Sequence, residues 1–181
     1  MFIQTEQTPN PSSIKFIPGC EVMLRGTAEF TKDADFSKSP LAARFFKIEG
    51  ITEVFFGGDF VTITKDENIE WDKLQTAILG EIMEHFTNGD DVIIGESVSE
   101  VSEDDSEIVK QIKELLDTRV RPMVAQDGGD IVFAEYDDGI VYLYLKGACS
   151  GCPSSTMTLK NGVENLLKHF IPEVKEVRAA N

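Results

Sequence analysis

Cysteine is scarce in this sequence, with three among 181 residues, and the number is odd. That excludes a disulfide-stapled scaffold, which needs cysteines that are dense and paired. Long apolar runs are missing: none approaches the roughly 18 residues that cross a bilayer. No hydrophobic core of a signal sequence follows Met1, and the opening stretch is too acidic and too poor in arginine for a transit peptide. Positive charge is in short supply too, with 17 Lys and Arg against 32 Asp and Glu and a formal net charge of −15. Nucleic acid and anionic membrane surfaces are excluded as partners, because both need basic patches that displace counterions. What remains is a soluble protein of a reducing compartment: cytoplasmic in a bacterium, or in the mitochondrial matrix if the chain is a processed eukaryotic form. In such a compartment a close cysteine pair points to metal or redox chemistry.

The apolar fraction of 41% is enough for ordinary cores, and the length allows one domain or two small ones. Charge placement decides for two. Residues 89–106 carry seven Asp or Glu and no Lys or Arg, among Ser, Gly and Val. This reads as an acidic linker between a domain over 1–88 and a second over 107–181, with Val92, Ile93 and Ile94 still able to pack on the first. A mobile stretch of about 12 residues reaches roughly 20 Å as a flexible chain, and self-repulsion extends it.

In the first domain, strands are predicted over 2–5, 14–17, 51–56 and 60–64, the last two joined by Gly57-Gly58-Asp59 as a hairpin. Ser39-Pro40 marks the start of a short helix, cap then first-turn proline. Trp71, Leu74, Ile78 and Ile82 form one stripe of a helix over 70–86, stopped by Asn88-Gly89. In the second domain, Ile108, Ile112, Leu115, Leu116 and Val120 mark a helix that Pro122 should kink or end. Two strands follow, over 131–136 and 140–145, separated by Asp137-Asp138-Gly139. A helix over 154–170 and a short strand near 174–177 complete the chain. The predicted class is α+β: two small domains, the second ordered α-β-β-α-β with a three-stranded sheet and its helices on one face.

Chemistry concentrates at Cys149-Ser150-Gly151-Cys152-Pro153. Two thiols three positions apart reach one centre from an exposed strand-to-helix loop. Pro153 suits the first turn of the helix, leaving the N–H groups of Ser154, Ser155 and Thr156 to favour thiolate. Tetrahedral zinc and iron–sulfur clusters both want four ligands, and one chain supplies two at this spacing. A two-fold dimer would supply the other two. A dithiol oxidoreductase and a structural pair stay open on spacing alone.

Other candidates have simpler readings. Cys20 follows Pro18-Gly19 in a turn and reads as incidental. His85 and His169 each end a helix, where an imidazolium is favoured by the dipole, so both read as caps. Asp127-Gly128-Gly129-Asp130 reads as a glycine turn needing positive φ, not as a cation site, since six or more oxygen ligands are not in view.

Taken together, Leu116-Asp117-x-Arg119-Val120-Arg121-Pro122, then Asp127-Gly128-Gly129-Asp130, then Gly147-Ala148-Cys149-x-Gly151-Cys152-Pro153-Ser154-Ser155-x-Met157-Thr158-Leu159 resemble the C-terminal domain of the NifU family, the Nfu-type iron–sulfur scaffold proteins. Ile3-Gln4-Thr5-Glu6, Thr8-Pro9-Asn10-Pro11, Lys15-Phe16 and Ser39-Pro40-Leu41-Ala42 resemble the N-terminal domain of its two-domain members. The resemblance implies a carrier and not an enzyme. Cys149 and Cys152 of a homodimer would hold one [4Fe-4S] cluster, with [2Fe-2S] the alternative. The cluster would come from an upstream assembly scaffold and pass to apo iron–sulfur client proteins, with the N-terminal domain docking partners. A dithiol oxidoreductase and a zinc-stabilised interaction module are the competing functions. Cys20 has no counterpart in the pattern.

Overall fold

The computed structural model describes residues 2–94, 105–150 and 153–180. The chain divides into two compact units, Met1–Ser99 and Glu100–Asn181.

The first unit is built on a five-stranded antiparallel sheet in the order β1-β2-β5-β4-β3: β1 (Gln4–Gln7), β2 (Ser13–Ile17), β3 (Ala28–Thr31), β4 (Ile51–Phe56) and β5 (Val61–Lys65). Helices α1 (Pro40–Phe45) and α2 (Trp71–Asn88) cover one face. Alternation drives this packing, because Ile14, Phe16, Val54, Phe56, Val61 and Ile63 all fall on the covered side and join Leu41, Phe45, Leu74, Ile78 and Ile82 in one core. Strand β3 is not predicted from sequence. It is a four-residue edge strand, half-buried throughout apart from its exposed last residue, so its hydrophobic signal is weak.

Helix α1 begins as its sequence indicates, with Ser39 as N-cap accepting the Ala42 N–H at 3.1 Å and Pro40 in the first turn. Helix α2 ends at Gly89, whose φ of 72° is the left-handed cap that glycine adopts without Cβ strain. Residues beyond that cap fold back on the unit. Val92 enters the core, its carbonyl accepts the Ser39 hydroxyl at 2.7 Å, and the Ile94 N–H donates to Lys38 at 2.7 Å. The acidic segment is therefore anchored as far as Ile94. Its centre, 95–104, lies outside the described residues.

The second unit opens with a helical stretch over 107–126 in three parts: α3 (Glu107–Leu115), a π turn (Leu116–Val120) and α4 (Arg121–Gln126). The regular helix is interrupted ahead of Pro122: a π turn, in which the Arg121 N–H reaches back five residues to the Leu116 carbonyl, precedes α4, and Pro122 occupies the first turn of that helix. A three-stranded sheet follows in the order β6 (Gly129–Asp137), β7 (Ile140–Gly147), β8 (Glu176–Ala179). Strands β6 and β7 form a hairpin through Asp138 and Gly139, both at positive φ, the geometry of a two-residue turn matched to strand twist. Strand β8 lies parallel to β7, as a crossover through α5 (Pro153–Phe170) requires. Ile131, Val141, Leu143 and Val177 bury one sheet face against Ile112, Leu116, Val120, Val124, Val163 and Leu167. The α-β-β-α-β order and one-sided helical layer are as the sequence indicates.

Candidate functional site

The thiol-bearing loop is the connection from β7 to α5. Its shape follows from glycines and register. Gly147, the last residue of β7, has φ +62° and pairs with Gly129, the first residue of β6. Gly128, just before it, has φ +79°. The Ala148 N–H donates to the Gly128 carbonyl at 3.2 Å, and the Ser150 N–H to the Gly147 carbonyl at 3.0 Å. The glycine turn before β6 and the cysteine loop after β7 thus brace each other, although 20 residues of hairpin separate them in sequence.

Cys149 is not exposed as the loop reading implied. Only 6% of its surface is accessible, and it belongs to the core of its unit. The reason lies across the hairpin: a Cβ built on Gly129 would stand 2.3 Å from the Cys149 Sγ, 2.9 Å from the Lys146 carbonyl oxygen and 3.0 Å from the Cys149 nitrogen. The sulfur fills the space that the missing side chain leaves. Gly129 was read as a turn residue; its role here is to seat the thiol. Cys152, the second predicted ligand, lies outside the described residues. Helix α5 begins at Pro153, as expected from the missing proline N–H.

The turn is held from behind by a pair that sequence reasoning missed. Asp130 is buried, with 3% of its surface exposed, and it accepts from Arg121 in a fork: Nε to Oδ1 at 2.8 Å and Nη2 to Oδ2 at 2.9 Å. Asp130 Oδ1 also accepts the Ile131 N–H at 2.8 Å, and Arg121 Nη1 donates to Asp117 at 2.9 Å. Hydrogen bonding to Asp130, with a smaller contribution from Asp117, holds the Arg121 guanidinium above its ordinary pKa despite partial burial. All three residues stood in recognisable motifs. Asp117 and Arg121, four apart on a helix, are spaced to meet; nothing in the spacing says that Arg121 meets Asp130, because the π turn decides where Arg121 points.

The remaining candidates are dispersed. Cys20 sits half-buried after Gly19, and burial pushes its thiol pKa up. His169 lies at an exposed end of α5, edge-on to Phe170 at 4.9 Å. His85 is not a charged cap. It is fully buried, neither ring nitrogen has a hydrogen-bond partner among the described residues, and desolvation pushes its pKa down. The periodicity held the signal, since His85 follows Ile82 by three positions on the core stripe, and Gly89 does the capping. Among the described residues no group of three or more His, Cys, Asp or Glu is arranged to hold a metal ion. No helix is long and apolar enough to cross a membrane among them.

Comparison with known proteins gives two successive matches, separated by the acidic segment. Residues 3–89 match the family described as scaffold protein Nfu/NifU N-terminal, and residues 112–178 match the NifU-like domain. The human protein named NFU1 iron-sulfur cluster scaffold homolog, mitochondrial, is 50% identical over 180 residues, covering 98% of this chain and 71% of that one. A Drosophila willistoni protein of the same name is 51% identical over 181 residues, and this chain spans 63% of its length. Among solved structures, the NifU-like protein from Saccharomyces cerevisiae aligns with a TM-score of 0.49 at 26% identity, covering 53% of this chain and 87% of that one.

Proposed function

Because this chain belongs to the Nfu family of NifU-like scaffold proteins, we propose that it holds an iron–sulfur cluster as cargo and delivers it to apo-proteins. What carries this reading is the NifU-like match over 112–178 together with Cys149 seated at the β7-to-α5 junction within that span. The donor chemistry fits half a site. Thiolates are the ligands that iron–sulfur clusters take, four are needed, and the motif offers Cys149 and Cys152. Two chains complete the set around one cluster, of the [4Fe-4S] type, with [2Fe-2S] the alternative that four thiolates serve equally.

The chain's own contribution is to supply and release ligands. N–H groups at the start of α5 favour thiolate and donate toward the sulfurs. Cys149 exchanges its core contacts for the metal when the two protomers meet. Delivery is a redox-neutral ligand exchange: a client thiol takes each iron position as thiolate while a Cys149 or Cys152 thiolate leaves it, and the client thiol's proton passes to solvent or to the departing sulfur. No catalytic acid or base is required. The first unit docks clients or the upstream assembly scaffold, and the acidic connector keeps cargo at high local concentration near the docked partner. The relatives' names, which print mitochondrial, support a mitochondrial location over the bacterial cytoplasm.

Anaerobic reconstitution with iron and sulfide tests this. The expected result is one cluster per two chains by iron and sulfide content, lost in Cys149→Ser. A chain that takes up stoichiometric zinc and no sulfide, or an apo monomer that reduces disulfides without iron, would replace the reading with the zinc module or the dithiol oxidoreductase.

A further inference from the structure

The seat of the Cys149 sulfur lies where the β6–β7 ladder runs out. Gly129 and Gly147 form the last pair, and Gly128 beyond them is already in the left-handed region. Ladder hydrogen bonds alone hold such an end weakly, because a terminal pair has neighbours on one side only. Here the end is fastened from the helical side. The Asp130 carboxylate, one residue from the seat, is gripped by the Arg121 fork at 2.8 and 2.9 Å and also accepts the adjacent Ile131 N–H. A bidentate guanidinium fixes both direction and plane, which a single-point cation does not. Asp117, four residues before Arg121, accepts from its third nitrogen, Nη1, at 2.9 Å.

Arg121 faces Asp130 because of the π turn. One extra residue in a helix rotates everything after it by about 100°. The bond from the Arg121 N–H to the Leu116 carbonyl marks that extra residue.

We infer that Arg121 is a positioning residue for Cys149: clamping Asp130, it fixes the first residues of β6 and so sets the place and accessibility of the sulfur that rests on Gly129. The consequence for cargo rests on the function proposed above; the clamp itself rests on the geometry alone. With the clamp intact, the sulfur is held in one position in the cluster-free chain and meets the metal from one direction. With it loosened, the thiol samples open positions, and a bound cluster experiences a less uniform environment.

Two readouts test this in the full chain. In a Cys20→Ser, Cys152→Ser background, Cys149 is the remaining thiol, and its alkylation by iodoacetamide under native conditions follows local opening. Arg121→Gln and Asp130→Asn should each raise the rate about tenfold or more, the equivalent of about 1.4 kcal/mol in the opening equilibrium. Arg121→Lys, which keeps the charge and loses the fork, should fall between. A control truncated in the core of the same unit at Ile112, chosen to match the loss of global stability in urea, should stay near the parent rate. In the chain with all cysteines, reconstituted anaerobically, Arg121→Gln should change the visible circular dichroism of the cluster while the Ile112 control leaves it unchanged. Equal alkylation of Arg121→Gln and the stability-matched control overturns the inference, as does an unchanged dichroism spectrum. If the parent chain takes up no cluster at all, the proposed function fails, and the alkylation comparison still decides the clamp.

Discussion

At the scale of single residues, titratable side chains taken out of water are the ones whose chemistry departs most from ordinary behaviour. Glu53 on β4 stands opposite Thr31, two residues along from Glu29 on β3, and shares a hydrogen bond with Glu29, while its Oε1 is buried without a partner among the described residues. Desolvation first, and the neighbouring Glu29 second, push its pKa up from 4.5 to about 8. The folded chain therefore holds a proton that the unfolded chain loses between those values, so this group makes the first unit less stable as pH rises from about 4.5 to 8. Glu53→Gln should remove that decline and stabilise the unit at pH 8 by roughly 1–2 kcal/mol, less than the full shift implies because water screens the rim of the pair. Urea melts of both proteins at pH 5 and pH 8 check it; a stability difference between variant and parent that is the same at both pH values contradicts it. The buried His85 adds the opposite slope below its ordinary pKa, so the comparison is made between variant and parent at each pH.

At the scale of elements, caps and turns explain most of what the strands and helices do. Ser39 serves two elements at once. Its oxygen accepts the Ala42 N–H at the start of α1, and its hydroxyl donates to the Val92 carbonyl of the segment folded back after α2. It is fully buried, so Ser39→Ala leaves both a donor and an acceptor unpaired. The expected cost is about 2 kcal/mol to the first unit. Hydrogen exchange should show residues 89–94 opening first, since the segment loses its anchor and α1 loses only its cap. Uniform loss across the unit would mean that the segment is held elsewhere. The π turn is the counterpart in the second unit: a local irregularity that lets Pro122 join a helical stretch and turns Arg121 toward Asp130.

At the scale of the whole molecule, the proposed function gives recognition to the first unit and cargo to the second. Removing residues 1–94, a cut placed after the last anchored residue rather than at the end of α2, should leave cluster uptake by the second unit within about twofold of the full chain, since the second unit has a hydrophobic core of its own. Transfer to a client should slow by tenfold or more, as the tethered local concentration is lost. The two rates are read by reconstitution and by client activation, and loss of uptake itself would place part of the cluster site in the first unit.

The sequence by itself determined the class, the element order and the thiol motif. These are written in local terms: alternation and helical stripes, Ser39-Pro40 and Asn88-Gly89 as helix signals, and two cysteines three apart before a proline. Tertiary structure decided what those residues meet. That Gly129 makes room for a sulfur 20 positions later, that Arg121 grips Asp130, and that Cys149 is buried are all consequences of hairpin register and one π turn. Spacing along a chain carries no record of such contacts, because they depend on how two elements are rotated and paired in space. Edge strand β3 was illegible for the complementary reason: an edge strand with little apolar surface to bury leaves little pattern to read.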